Sequence, residues 1–141
     1  MSKGNTFEND LLKLIFNATA IANIADNAAS SPITTLTVAL HTADPGEAGD
    51  QTTSEISYTG YARQTVARTS GGWTVTGNSV SPVANIDFPT MTAGAGGTVT
   101  HVSVGTGSGD KLLYSGAVSP NIVVATSVAP RITTASTITE D

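Results

Sequence analysis

The chain has 141 residues, a net charge of −5 and only 12% charged side chains, about half of the ~25% usual for soluble domains. Its six basic residues are scattered, which argues against a phosphate-binding surface and any nucleic-acid partner, and the lack of cysteine excludes disulfides and thiolate metal sites. The length fits a single domain, 1–141, with room for a real core.

Lys3 is followed by Glu8 and Asp10, the wrong charge layout for a signal peptide. The apolar stretch from Leu11 to Ile24 holds Lys13, Asn17 and Asn23, and is too short and too polar to span a bilayer. No export signal and no membrane partner are therefore expected. Residues 5 to about 27 are predicted as the one good helix, with Asn5 and Glu8 as a capping-box variant. Phe7, Leu11, Ile15, Ala18 and Ala22 recur at helical spacing and form an apolar stripe.

Everything from residue 33 to 139 reads as β. Leu36, Val38 and Leu40 alternate with Thr35, Thr37 and Ala39 at period two. A loop from Thr42 to about Thr59 carries the turn Asp44-Pro45-Gly46 and most of the acidic residues. Further strands are expected at 61–69, 73–76, 83–88, 98–104, 112–118, 122–128 and 131–138. Gly71-Gly72 and Gly77-Asn78 are read as turns, Gly105 to Gly109 as a hairpin loop, and Ser119-Pro120 as a strand break. The fold class is mainly β, an antiparallel β-sandwich or jelly roll of about eight strands with one N-terminal α-helix.

Between Arg68 and Asp110 the only charged side chain is Asp87. A solitary soluble protein keeps its surface charged, because charge opposes association. Several short strands and turns occupy this stretch, so much of it reaches the surface. The composition therefore points to a chain packed among copies of itself or on a larger particle.

No residue pattern marks an enzyme. His41 and His101 lie near strand ends and are read as solvent-facing strand histidines. A hydrolase built on either is the weakest reading, since no nucleophile elbow accompanies them. The carboxylates of Asp44, Glu47 and Asp50 could gather round a hard cation, but a solvated turn loop accounts for them better. Lys111 in Gly105-Thr-Gly-Ser-Gly-Asp-Lys111 is followed by a strand, not by the helix a phosphate cradle requires. Trp73 is expected in the core. No cofactor and no metal is predicted.

The runs Leu36-Thr-Val-Ala-Leu-His-Thr-Ala-Asp-Pro-Gly46, Gly60-Tyr-Ala-Arg-Gln64, Gly71-Gly-Trp-Thr-Val-Thr76, Ala84-Asn-Ile-Asp-Phe-Pro89 and Thr100-His-Val-Ser-Val-Gly105 resemble small virion proteins of tailed bacteriophages. Relatives of this kind are described as head decoration (cement) proteins or as tail-fibre-like proteins. The resemblance implies a β-sandwich or jelly roll in the virion. The short chain, its few aromatics and its apolar helix favour a non-enzymatic cement protein on the outer surface of the head, bound to the major capsid protein. The alternative is a tail or tail-fibre component that binds the host surface. Self-association is expected as a dimer, or else a trimer. The interface candidates are the helix stripe Phe7, Leu11 and Ile15, with Arg63 and Arg68.

Overall fold

The computed structural model describes residues 5–21, 32–107 and 110–140. Among them are one helix, α1 (Asn5–Asn17), and nine strands. The strands are β1 (Thr35–His41), β2 (Gln64–Ala67), β3 (Trp73–Thr76), β4 (Ser79–Pro82), β5 (Ile86–Asp87), β6 (Gly97–Gly105), β7 (Leu112–Val124), β8 (Arg131–Ile132) and β9 (Ile138–Thr139). They form sheets ordered β2-β1-β6-β7, β3-β4-β9 and β5-β8. The fold is mainly β, antiparallel and of the sandwich class, with one N-terminal helix, as the sequence predicts. No helix among the described residues is long and apolar enough to cross a membrane.

The chain divides into two compact units. The first comprises Met1–Thr35, Val66–Asn85 and Thr133–Asp141, and the second Leu36–Thr65 and Ile86–Ile132.

In the first unit α1 packs on β3 and β4. Its buried face is Glu8, Leu12 and Phe16, one residue later than the predicted stripe. Phe16 meets Trp73 edge-to-face with ring centroids 4.9 Å apart, the favoured geometry for aromatic quadrupoles. Trp73 is 2% exposed and is a core residue, as expected.

The helix ends at Asn17 rather than near residue 27. Ala18 takes a left-handed φ of 54°, and the Thr19 amide turns back to the Lys13 carbonyl at 3.1 Å. Residues 22–27 of the predicted helix lie outside the described residues.

Gly77-Asn78 is the two-residue turn of a β3–β4 hairpin, paired from Trp73↔Pro82 to Thr76↔Ser79. The strand β4 is not predicted from the sequence. The predicted strand 83–88 shrinks to Ile86–Asp87, paired with Arg131–Ile132. The predicted strand 131–138 becomes two short ones, β8 and β9, separated by a turn in which Ser136 N–H donates to the Thr133 carbonyl.

In the second unit β1 pairs β6 from Thr37↔Gly105 to His41↔His101. Every β1 residue after Thr35 is buried, so both faces of this strand are covered, not one. Leu36, Val38 and Leu40 lie on one face. On the other, the loop after β1 lays Gln51 against Thr37 and Ser103. Ser119-Pro120, a cis peptide, does not break β7. The partner of Val99 is Ile122 and that of His101 is Ala117. Pro120 thus falls in a bulge opposite Thr100, where no ladder bond is demanded of it.

Candidate interaction surfaces

The five interface candidates divide between the helix and two arginines. The Phe7 side chain lies outside the described residues. Leu11 and Ile15 are half-exposed, next to the fully buried Leu12 and Phe16. Ile15 and Arg68 are brought together, but through the backbone of Ile15. Arg68 Nε donates to the Ile15 carbonyl at 2.6 Å, Nη2 to the Leu14 carbonyl at 2.5 Å and Nη1 to the Ile33 carbonyl at 3.3 Å. The last turn of a helix leaves its carbonyls unsatisfied and carries partial negative charge. Arg68, 9% exposed, supplies both the donors and the positive charge from a distant segment.

Arg63 belongs to the second unit and is equally engaged. Its Nε and Nη2 grip Glu55 Oε1 and Oε2, both at 2.7 Å, the bidentate geometry that a planar guanidinium favours. Its Nη1 donates to Asp110 Oδ1 at 2.5 Å. The Tyr61 hydroxyl donates to Glu55 Oε1 at 2.9 Å and accepts the Leu40 amide at 3.1 Å. The hydrogen bonds to Glu55 hold the Arg63 guanidinium well above its ordinary range, and burial pushes the Tyr61 phenol up. The Tyr61 ring lies 5.3 Å from Tyr58 and stacks on Phe88 at 6.2 Å. The network ties the loop after β1 to the start of β2 and the end of the β6–β7 connection. Sequence reading does not find it, because Glu55 and Asp110 sit in segments read as loops.

His41 does not face solvent; it is 0% exposed. Its Nδ1 lies 2.8 Å from the Thr53 carbonyl and its Nε2 2.8 Å from Ser103 Oγ. A carbonyl only accepts, so Nδ1 carries the proton, and the Ser103 hydroxyl donates to Nε2. Ser103 Oγ in turn accepts Gln51 Nε2–H at 3.3 Å. Burial holds the imidazole below its ordinary pKa. A serine and a histidine at this distance have the spacing of a nucleophile and its base. Here the serine is 1% exposed, so its hydroxyl is closed to any substrate. His101, directly across from His41 in the ladder, is half-buried, with Thr100 Oγ1 2.9 Å from its Nδ1.

Two carboxylates of the acidic loop, Asp44 and Asp50, hold its turns. Asp44 Oδ1 accepts the Gly46 amide at 2.9 Å. Asp50 Oδ1 accepts the amides of Thr52 and Thr53 at 2.8 and 3.1 Å, and both threonine hydroxyls. Those bonds, first of all from Thr52, hold the Asp50 carboxyl below its usual range. Among the described residues no three acidic or imidazole groups gather as a metal ion requires.

Among the described residues β7 is the last strand of its sheet, and its 13 residues, LLYSGAVSPNIVV, carry no charge. Only Val124 is buried; Ser115, Gly116 and Ala117 are exposed and Val123 is 67% exposed. Strand edges expose unpaired N–H and C=O groups, and a charged residue is the usual protection.

Residues 2–139 match the family of the podophage GP4 fiber I protein gp80. The chain belongs to that family. No curated protein matches it. Membership makes it a phage structural protein and bears out the resemblance read from the sequence at that level. The family is described as a fibre protein, which fits the tail-fibre alternative better than the expected head decoration.

Proposed function

We propose that this chain is a non-enzymatic subunit of a virion fibre, working in several copies, and that the assembled fibre engages the host surface. The observation that carries this reading is the match to a fibre family over residues 2–139. Among the described residues every aromatic ring whose exposure is known is buried or half-buried, so these residues offer no exposed aromatic platform for a sugar, and contact with the host falls to the assembled fibre. The surface chemistry supports the role of a subunit. The uncharged β surface suits contacts between protein subunits, because Thr, Ser and Val lose less side-chain entropy on contact than Lys or Glu.

The test is location in the intact particle. Gold-labelled antibody against the chain should mark projecting fibres, and the purified protein should slow adsorption of phage to cells. Label spread over the head would replace this reading with head decoration, with the major capsid protein as partner. Label on fibres without any effect on adsorption would restrict the role to fibre architecture.

A further inference from the structure

His41, Gln51 and Ser103 form one closed group within the second unit, at 0%, 0% and 1% exposure. Ser103 stands opposite Ala39 in the β1–β6 ladder, so its side chain is diagonal to His41 on the same face of the sheet. The Thr53 carbonyl accepts the Nδ1–H bond and leaves Nε2 as a base, 2.8 Å from the Ser103 hydroxyl. Burial keeps this imidazole neutral at pH 7. The hydroxyl is sealed from molecules in solvent, but a carboxamide of the chain itself already lies against it. Gln51 Nε2 is 3.3 Å from Ser103 Oγ. The carbonyl carbon is one bond of ~1.33 Å beyond Nε2, which puts it within about 4.6 Å of the oxygen.

Two further observations single out this carboxamide. Gln51 Oε1 is buried and has no hydrogen-bond partner. That is costly for an amide oxygen and less so for an ester carbonyl, a weaker acceptor. Gly105 has a φ outside the left-handed region, and a Cβ there would stand 2.4 Å from both Cδ and Oε1 of Gln51 and 2.5 Å from the Lys111 carbonyl oxygen. Close approach, and not backbone conformation, calls for glycine at this position. The Gln51 amide N–H donates to the Asp110 carbonyl at 2.9 Å, so the residue is held against Ser103 from both ends.

We propose that Ser103 and Gln51 join in an internal ester, made once by the chain itself with His41 as general base. Ser103 Oγ attacks Gln51 Cδ and gives its proton to His41 Nε2. The tetrahedral carbon then expels the Gln51 nitrogen, which takes that proton back from His41 and leaves as ammonia. One C–O bond forms, one C–N bond breaks, nothing is oxidised or reduced, and no co-reactant is needed. An approach of about 1 Å and a turn of the amide about Cγ–Cδ bring the pair into the ~3–3.5 Å attack range. Exchange of an amide for an ester is uphill between free molecules. The effective concentration of a well-oriented pair, up to about 10⁵–10⁸ M, and the escape of ammonia offset this. With no donor on Oε1 the developing oxyanion is unaided, so the bond forms slowly, as a maturation step and not as turnover. It ties the loop after β1 to β6 across 52 positions. Disulfides supply that restraint in other proteins that work outside the cell, and this chain has no cysteine.

The intact mass of the full-length chain, kept folded at neutral pH for days, reads the bond directly. The expected value is the sequence mass less one ammonia. Trypsin should then release Leu14–Arg63 and Thr69–Lys111 as one joined species, which hydroxylamine, a nucleophile that cleaves esters, separates. Ser103→Ala and Gln51→Glu should each keep their full mass. His41→Gln should lose ammonia about a hundredfold more slowly, or slower still. A wild-type mass that stays at the full sequence value would overturn the proposal. So would equal loss of ammonia from Ser103→Ala, or a His41→Gln chain that crosslinks at the wild-type rate. These readings are made on the isolated chain, so they stand or fall independently of whether antibody marks fibres or heads.

Discussion

The loop between β1 and β2 and the strand β7 belong to the same unit and are built in opposite ways. The loop uses Asp44, Asp50 and Glu55, with Arg63 at its end, and each has hydrogen-bond partners within the chain. It also sends Gln51 to cover the sheet at Thr37 and Ser103. The strand has no charged residue, and nothing before Val124 is buried. Around Arg63 the charges are paired in a partly buried network, where each interaction is stronger than in open water, whereas β7 carries none. The two regions should therefore respond differently to substitution.

The largest contrast is expected from charge. Arg63→Ala leaves the Glu55 carboxylate, 18% exposed, without its bidentate partner and frees Asp110. Breaking such a pair from one side costs about 2–3 kcal/mol, readable as a lower denaturant midpoint. Ser115→Lys, on the exposed strand, should leave the monomer within about 0.5 kcal/mol. If the two variants lose equal stability, the strand is part of the folding core and the contrast fails.

Two glycines give the next test. A Cβ at Gly105 would lie 2.4 Å from Gln51 Cδ and 2.5 Å from the Lys111 carbonyl oxygen. Gly105→Ala must therefore displace both the covering side chain and the β6–β7 connection, at a cost of about 1–3 kcal/mol. Gly116→Ala meets open space. It should leave the melting temperature of the monomer unchanged or slightly raised, since alanine restricts the unfolded chain more than glycine does.

The elements legible in the sequence are those set by local pattern. Alternation places β1 and β6, and Gly77-Asn78 places the hairpin turn after β3. What escapes is set by partners far along the chain. The helix stops at Asn17 partly because Arg68, 53 residues from Ile15, takes carbonyls of its last turn. The helical stripe is displaced by one residue because Trp73 selects Phe16. Ser79–Pro82 has too few β-formers to be read as a strand, and is one because it pairs with β3 and β9. Period-two alternation in β1 implies one wet face, but the loop covers it, and His41 goes inside with it. Of the candidate surface, the absence of charge was legible. Which strand is an edge was not, since that follows from sheet order.

His41 makes the covered region sensitive to acid. With Nδ1–H given to Thr53, a second proton would have to enter at Nε2, facing the Ser103 hydroxyl that now donates to it. Burial lowers the folded-state pKa; Thr53 and Glu55 oppose this, whereas Arg63 and His101 add to it. The unfolded chain, titrating near ~6.5, then binds more protons than the folded one in mild acid. Stability should be full above about pH 6.5 and fall below it, by at most ~1.4 kcal/mol per pH unit. Urea midpoints between about pH 6.5 and 5.5 should show this slope, and His41→Gln should flatten it. An equal slope in the variant would assign the titration elsewhere.

The smallest effect comes from a second arginine pair with the same chemistry in the open. Arg131 Nε donates to Asp87 Oδ1 across the short β5–β8 ladder, with side chains 53% and 57% exposed. Water and salt screen such a pair, and holding two side chains together costs most of what it returns. Arg131→Ala should not shift the denaturant midpoint measurably, at low or high salt. Arg63 and Arg131 each meet a carboxylate, so a matching loss in the two variants would mean that contact alone decides. A loss confined to Arg63→Ala would mean that the covering of the site decides, and this is the property that separates the loop from β7.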